Sequence, residues 1–329
     1  MTLAHDVTGS GPAVLLLHST VGDRRMWDPQ MSALSDAGYR VIRCDFRGYG
    51  ETPMPSEPND DTQDVADLLS HLGVDRLAVI GSSGGGRVAL DFAARSPERI
   101  TALALLCTAA PGHEPSAELR AFGKREDALL EAGDVDGATE LNVDLWVGPE
   151  ADETVRAQVR AMQRNAFQVQ LAAEKQAVTD TQPAPEDQPT ADTQPALEGQ
   201  PTADTQPAPK EQPTADTQPT AGEQPAADEP PVVEEQSAAD RPPAAGDQPA
   251  EGEQPRAEAD PSAITAPTLL VSGAHDLPDF QQIATDLAAR LPHARHLHLD
   301  WAGHLPSLER PDLINPLLID FLAESKPEN

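Results

Sequence analysis

Three stretches of this 329-residue chain carry side chains that could act together on a carbonyl group. "VIGSSGGGRVAL" (79–90) offers two adjacent serines among glycines, "VSGAHDLPDF" (271–280) offers Asp276 and Asp279, and "DWAGHLPSLERP" (300–311) offers His304. A serine hydroxyl is a poor nucleophile until a base takes its proton, and an imidazole base needs a carboxylate to hold its ring. The types present therefore suit nucleophilic attack by serine.

A glycine-rich turn can do other work. A phosphate-binding loop needs Lys and then Ser or Thr after its last glycine. Here Arg87 and Val88 follow Gly86. A dinucleotide fingerprint can be laid on Gly84, Gly86 and Ala89, but the next strand ends "LLCTAAPG" without the acid that binds a ribose. The remaining motif is G-x-S-x-G, a sharp strand-to-helix turn that presents one serine. The positions two before and two after that serine must be small. Ser83 has Gly81 and Gly85 there, whereas Ser82 would have the bulky Ile80. Ser83 is the expected nucleophile. The chain order Ser, then Asp, then His fits this turn. Asp276 follows a strand end directly and is the expected acid, with Asp279 as the fallback; His304 follows the last strand and is the expected base.

The elements that must position these groups are legible from hydrophobic pattern. Apolar runs at 13–18, 39–44, 76–81, 100–107, 267–273 and 294–300 predict strands. Helical patterns at 27–36, 62–72, 84–95, 280–291 and 309–323 lie between them. Apolar strands alternating with helices predict a mostly parallel sheet with helices on both faces. Residues 113–177 show only helical pattern and predict a cap over the carboxyl edge of the sheet, where such sheets bind ligands. The core would then be 1–112 and 262–329.

Between them, residues 178–261 repeat every twelve residues, as in "TADTQPALEGQP" and "TADTQPAPKEQP", with Asp at 180, 192, 204, 216, 228 and 240. Each unit lacks the apolar face a solenoid would stack. The stretch holds 17 of the 33 prolines, no aromatic residue, and 19 acidic against 3 basic residues. Such a composition cannot offset the entropy of ordering, so a disordered, extended insertion is expected. Closing a loop costs only the logarithm of its length, about 1.6 kcal/mol for a sixfold extension. A folded domain can carry it.

On the stretches "VLLLHSTVGDRRMWDPQ", "RCDFRGYGETP", "VIGSSGGGRVALDFAARSPERI", "APTLLVSGAHD" and "WAGHLPSLERP", the chain resembles the serine hydrolases of the α/β-hydrolase superfamily, near its esterase and enol-lactonase-like members. The resemblance covers nearly all of the chain outside the repeat. It implies the α/β-hydrolase fold with a helical cap, and an oxyanion hole built from the backbone amides of Thr20 and Gly84. Many relatives read His-Gly where this chain reads His18-Ser19-Thr20. The donor is a backbone N–H, yet Thr restricts the backbone more than Gly does, and losing such a donor typically costs ~10²–10³ in turnover.

The expected reaction is cleavage of a small ester or lactone through an acyl-enzyme. Carbon–carbon bond hydrolysis or perhydrolysis on the same triad, and a non-catalytic binding protein of the same fold, are the alternatives. A metal enzyme is a further rival, because His293, His296 and His298 cluster and His296 and His298 share a strand face; the plainer reading is polar-edge histidines, so neither metal nor cofactor is expected. Trp27, Trp146, Met162 and Phe167 are candidates to line a pocket or to fill the core.

A formal charge of −32 argues against nucleic acid or an anionic membrane surface as partner. No apolar run approaches a membrane span, and the start lacks a secretory pattern. Cys44 and Cys107 sit in apolar runs and read as free buried thiols, so a reducing cytoplasmic setting and a small-molecule acyl substrate are expected.

Overall fold

Strands that are apolar at every position can lie only in the middle of a sheet covered on both faces. In the computed structural model, which describes residues 2–55, 57–181 (177–181 by backbone alone) and 260–325, this is what the longest runs do. Strands β1 (His5–Thr8), β2 (Ala13–Leu17), β3 (Arg40–Cys44), β4 (Leu77–Ser82), β5 (Ile100–Leu106), β6 (Thr268–Gly273) and β7 (Ala294–Leu299) form one sheet in the order β1-β3-β2-β4-β5-β6-β7. β4 and β6 are buried at every residue. All neighbours run parallel except β1, which pairs antiparallel to β3, with His5 opposite Cys44. β1 is absent from the sequence reading because "HDVT" has a single apolar residue, and its pairing with β3 makes it a strand. The edge strands β1 and β7 carry His, Asp and Arg, which blunt an otherwise open ladder.

Helices α1 (Asp28–Asp36), α2 (Asp61–His71) and α3 (Gly84–Arg95) cover the first half of the sheet. The cap follows as α4 (Ala117–Glu131), α5 (Val135–Trp146) and α6 (Glu153–Thr181), with α5 packed between the other two. Ser116 and Asp134 cap α4 and α5 by accepting from the Leu119 and Gly137 amides. α6 is docked on the core by three amide side chains: Gln158, Asn165 and Gln170 donate to the carbonyls of Arg25, Gly50 and Gly48. The chain returns with α7 (Pro278–Arg290), a single turn α8 (Pro306–Glu309) and α9 (Pro311–Glu324). The sequence pattern merges α8 and α9; Arg310 breaks them at φ −138 and ψ 70.

Two boundaries of the repeat differ from expectation. α6 runs through Thr181, so the first four residues assigned to the repeat, which contain no proline, continue the helix. At the other end Asp260 caps a short 3-10 turn, Pro261–Ala263, and Pro261 is buried. The rest of the disordered-insertion reading falls on 182–259, outside the described residues. Among the described residues no helix is long and apolar enough to cross a membrane.

The chain leaves β2 for β3 on one side and enters β4 on the other. Loops after β2 and β4 therefore diverge, and open sheets bind ligands at this reversal. Thr20 follows β2, and Ser83 follows β4.

Candidate active site

Ser83 is held in a conformation that non-glycine residues rarely adopt, φ 53 and ψ −119. Such a residue costs about 1–3 kcal/mol and persists only where its surroundings over-determine it. Here its amide donates to Leu106 O at 3.0 Å, and its carbonyl accepts from Arg87 N and Ala109 N, both at 3.1 Å. A Cβ on Gly81 would lie 2.5 Å from Gly85 O and 2.7 Å from Gly86 Cα, so the turn closes only over glycine. Ser82 is fully buried with an unpartnered hydroxyl, while Ser83 stands at the N-terminal end of α3.

Asp276 and His304 meet at this edge. His304 Nδ1 donates to Asp276 Oδ2 at 2.8 Å, and Leu277 N donates to Asp276 Oδ1 at 2.8 Å. A carboxylate only accepts, so this bond fixes the proton on Nδ1 and leaves Nε2 with its lone pair. The imidazole is 2 % exposed and boxed by two rings: Phe280 of α7 at 4.3 Å between centroids, and Trp146 of the cap at 4.6 Å. Excluding water strengthens the bond to Asp276. Asp279 is engaged elsewhere: its Oδ1 accepts from Ser116 N at 2.7 Å and bonds His113 Nε2 at 2.9 Å. These bonds to Ser116 and His113 outweigh its burial and hold its carboxyl below the usual range.

Thr20 and Gly84 are neighbours. A Cβ on Gly84 would lie 2.7 Å from Thr20 Cγ2 and 3.9 Å from Thr20 N. Thr20 keeps a negative φ, because it is the second residue of a turn closed by Gly22 N on Ser19 O at 3.0 Å. Threonine tolerates that position, so the departure from His-Gly brings no backbone strain. His18 anchors the loop beneath: its Nε2 accepts from Phe46 N at 2.9 Å, which leaves Nδ1 to donate to Ser19 O at 2.8 Å. Burial holds this imidazole below its ordinary range, in keeping with the neutral tautomer. Buried Asp45 takes the Arg24 amide at 2.8 Å and the Arg24 guanidinium, tying the far end of the loop to β3.

Of the four apolar pocket candidates, Trp146 touches His304; Met162 lies against Gly22 of the Thr20 loop; Trp27 and Phe167 are buried. A cavity of about 460 Å³ between α4 and α5 is lined by Phe122 and Leu145 but by none of Ser83, Asp276 or His304. Two participants were not read from sequence. Phe280 looks like any core residue of an amphipathic helix. Cys107 reads as a strand residue, yet it has φ 46 and its thiol donates to Gly303 O, beside His304, at 3.5 Å.

Cys107, Asp276 and His304 could each offer a metal ion one ligand atom, all within 4.8 Å of one another. Burial and the Asp276 and Glu309 charges push the Cys107 thiol well above its ordinary range, which disfavours the thiolate a metal would need. His296 Nε2 and His298 Nδ1 converge on Ser272 Oγ at 2.8 and 2.9 Å. Among the described residues they belong to no three-donor group, and His275 and His293 are exposed.

The family model for the alpha/beta hydrolase fold matches residues 12–311. The chain belongs to that family. Over 100 residues it is 39% identical to epoxide hydrolase 2 of Siraitia grosvenorii, a match covering 29% of this chain and 32% of that protein. The chain thus spans about a third of the length of the first curated relatives it matches. Its fold superposes on the enol-lactonase from Burkholderia xenovorans LB400 with a TM-score of 0.63 at 22% identity, covering 98% of this chain and 96% of that one. A thermophilic esterase from Thermogutta terrifontis gives 0.62 at 21%, covering 99% and 94%.

Proposed function

We propose that this chain is a hydrolase that cleaves a small ester or lactone, with Ser83 as nucleophile, His304 as base and Asp276 as the acid that orients it. The observation that carries the reading is the 2.8 Å bond from His304 Nδ1 to Asp276, at the same sheet edge as the strained turn of Ser83. His304 Nε2 takes the Ser83 proton as Oγ attacks the acyl carbonyl. The Thr20 and Gly84 amides receive the oxyanion, and His304 returns the proton to the leaving alkoxide. Water, deprotonated by the same nitrogen, then attacks the acyl-enzyme, and His304 returns that proton to Ser83 Oγ as the acid leaves. Asp276 stabilises the imidazolium formed in each half.

The named similarity to epoxide hydrolases raises a second chemistry, and the nucleophile argues against it. A serine oxygen that opened an epoxide would be left as an alkyl ether, which water cannot release by addition to a carbonyl. An acyl ester on the same oxygen is released readily, so a serine at this turn suits acyl transfer.

The test is labelling of wild type and Ser83→Ala with a fluorophosphonate, followed by a panel of acyl esters and lactones. Labelling and turnover in wild type, both lost in the variant, are expected. Labelling that survives in Ser83→Ala would refute the assignment.

A further inference from the structure

Glu309 is a buried carboxylate, 4 % exposed, that reaches three backbone amides in two separate parts of the fold. Its Oε2 accepts from Gly303 N at 2.8 Å, and its Oε1 accepts from Leu305 N at 3.0 Å and from Gly148 N at 3.1 Å. Gly303 and Leu305 flank His304. Gly148 lies in the link from α5 to α6, two residues after Trp146.

The cap meets the histidine loop at that point in two further ways. His304 N donates to Trp146 O at 3.2 Å, and the Trp146 ring lies against the imidazole. The two glycines touch backbone to backbone: a Cβ on Gly303 would lie 2.5 Å from Gly148 Cα, and a Cβ on Gly148 would lie 2.5 Å from Gly303 N. The three successive amides 303, 304 and 305 therefore have all their acceptors in Glu309 and the cap.

We propose that Glu309 is a positioning residue that locks the His304 loop to the α5–α6 link of the cap, so that the imidazole is in register with Ser83 only while that link is seated. The inference rests on the Ser83–His304–Asp276 reading above. An isolated buried carboxylate would be costly, and three charge-assisted bonds are the compensation for it. Burial holds its carboxyl above the usual carboxylate range, against the opposing pull of the Gly303, Leu305 and Gly148 amides and the His304 ring. A glutamine in its place keeps the shape but turns an N–H towards an N–H, most directly at Gly303.

Glu309→Gln is the test, using the full chain, a p-nitrophenyl ester and a fluorophosphonate. Misplacing a catalytic group by about 1 Å can cost up to ~10², so kcat should fall about tenfold to hundredfold with KM little changed, and Ser83 phosphonylation should slow by the same factor. Melting well above the assay temperature separates this from unfolding. A folded variant with wild-type kcat, or one in which KM rises while kcat holds, overturns the proposal. If Glu309→Gln does not fold, Gly148→Ala perturbs the junction from the cap side; a folded Gly148→Ala with wild-type kcat overturns it equally. If wild type itself neither reacts nor turns over, the hydrolase reading has failed instead. The His304 Nδ1 proton resonance then decides: a downfield signal present in wild type and shifted or lost in Glu309→Gln supports the lock, and an unmoved one refutes it.

Discussion

The turn beneath Ser83 predicts that one substitution, Gly to Ala, has opposite signs at two helical positions. Gly85 is the second residue of α3 and lacks a positive φ, so its backbone alone would accept alanine. Its space would not. The new Cβ would lie 2.5 Å from Leu17 O and 2.6 Å from Leu17 C, and would meet His18 O as well. These are backbone atoms at the end of β2, which is paired to β3 on one side and β4 on the other, so they have little room to yield. Overpacking of this kind costs roughly 1–3 kcal/mol, offset by up to ~1 kcal/mol of helix propensity. A net loss of about 1–2 kcal/mol lowers Tm by about 2–8 °C in a domain of this size. The strand end also carries the Thr20 amide, so turnover should fall by up to about a hundredfold if it moves by ~1 Å. Gly123, inside α4, has ordinary φ and nothing within 4 Å of its added Cβ. There alanine should gain up to ~1 kcal/mol and raise Tm by about 2–4 °C with turnover intact. Thermal melts by circular dichroism, with ester turnover on the same samples, read both effects. A Gly85→Ala protein that melts and turns over like wild type, or a Gly123→Ala protein that melts lower, would refute the steric reasoning.

The other predictions concern the acids, metals and thiols. Asp276→Asn should lower kcat by about 10⁴-fold, because the amide favours the wrong imidazole tautomer. Asp279→Asn should instead disturb the bonds to His113 and Ser116; a larger loss of kcat there than in Asp276→Asn would reverse the assignment. Turnover should survive exhaustive chelation and the double change His296→Ala, His298→Ala, and loss of activity restored by zinc would reinstate the metal reading. Burial pushes the Cys44 and Cys107 thiols up, so the folded chain binds those protons more tightly than the unfolded chain does. That stability is full below the unfolded thiol value of about 8.5 and is lost as pH rises towards the folded values, so Tm should fall between about pH 8.5 and 10. A Cys44→Ala, Cys107→Ala protein that shows the same fall would refute that origin.

Much of the site is legible in the sequence because the decisive constraints are local. The register of Gly81 and Gly85 around Ser83 excludes Ser82 within five residues of chain, and the added-Cβ distances supply the physical reason. The runs of β2, β4, β5 and β6 are strands because no other element buries both faces of so short a segment, whereas β7 is a half-exposed edge. What escaped is what local pattern does not carry. β1 has too few apolar residues to announce itself and exists through its ladder with β3. The choice of Asp276 over Asp279 is supported by which of them His304 bonds, and both follow the same strand end.

Sequence alone determined the chemistry on offer: a serine on a glycine turn, an acid and a histidine in workable order, and strands to carry them to one edge. Tertiary structure decided their company. The 276–304 bond spans 28 residues, and the Gly148–Glu309 bond spans 161. Phe280 and Trp146 enclose the imidazole from different parts of the chain. Such contacts form because the folded core brings distant backbones to hydrogen-bonding distance, and neither period nor spacing along the chain records which segments will meet.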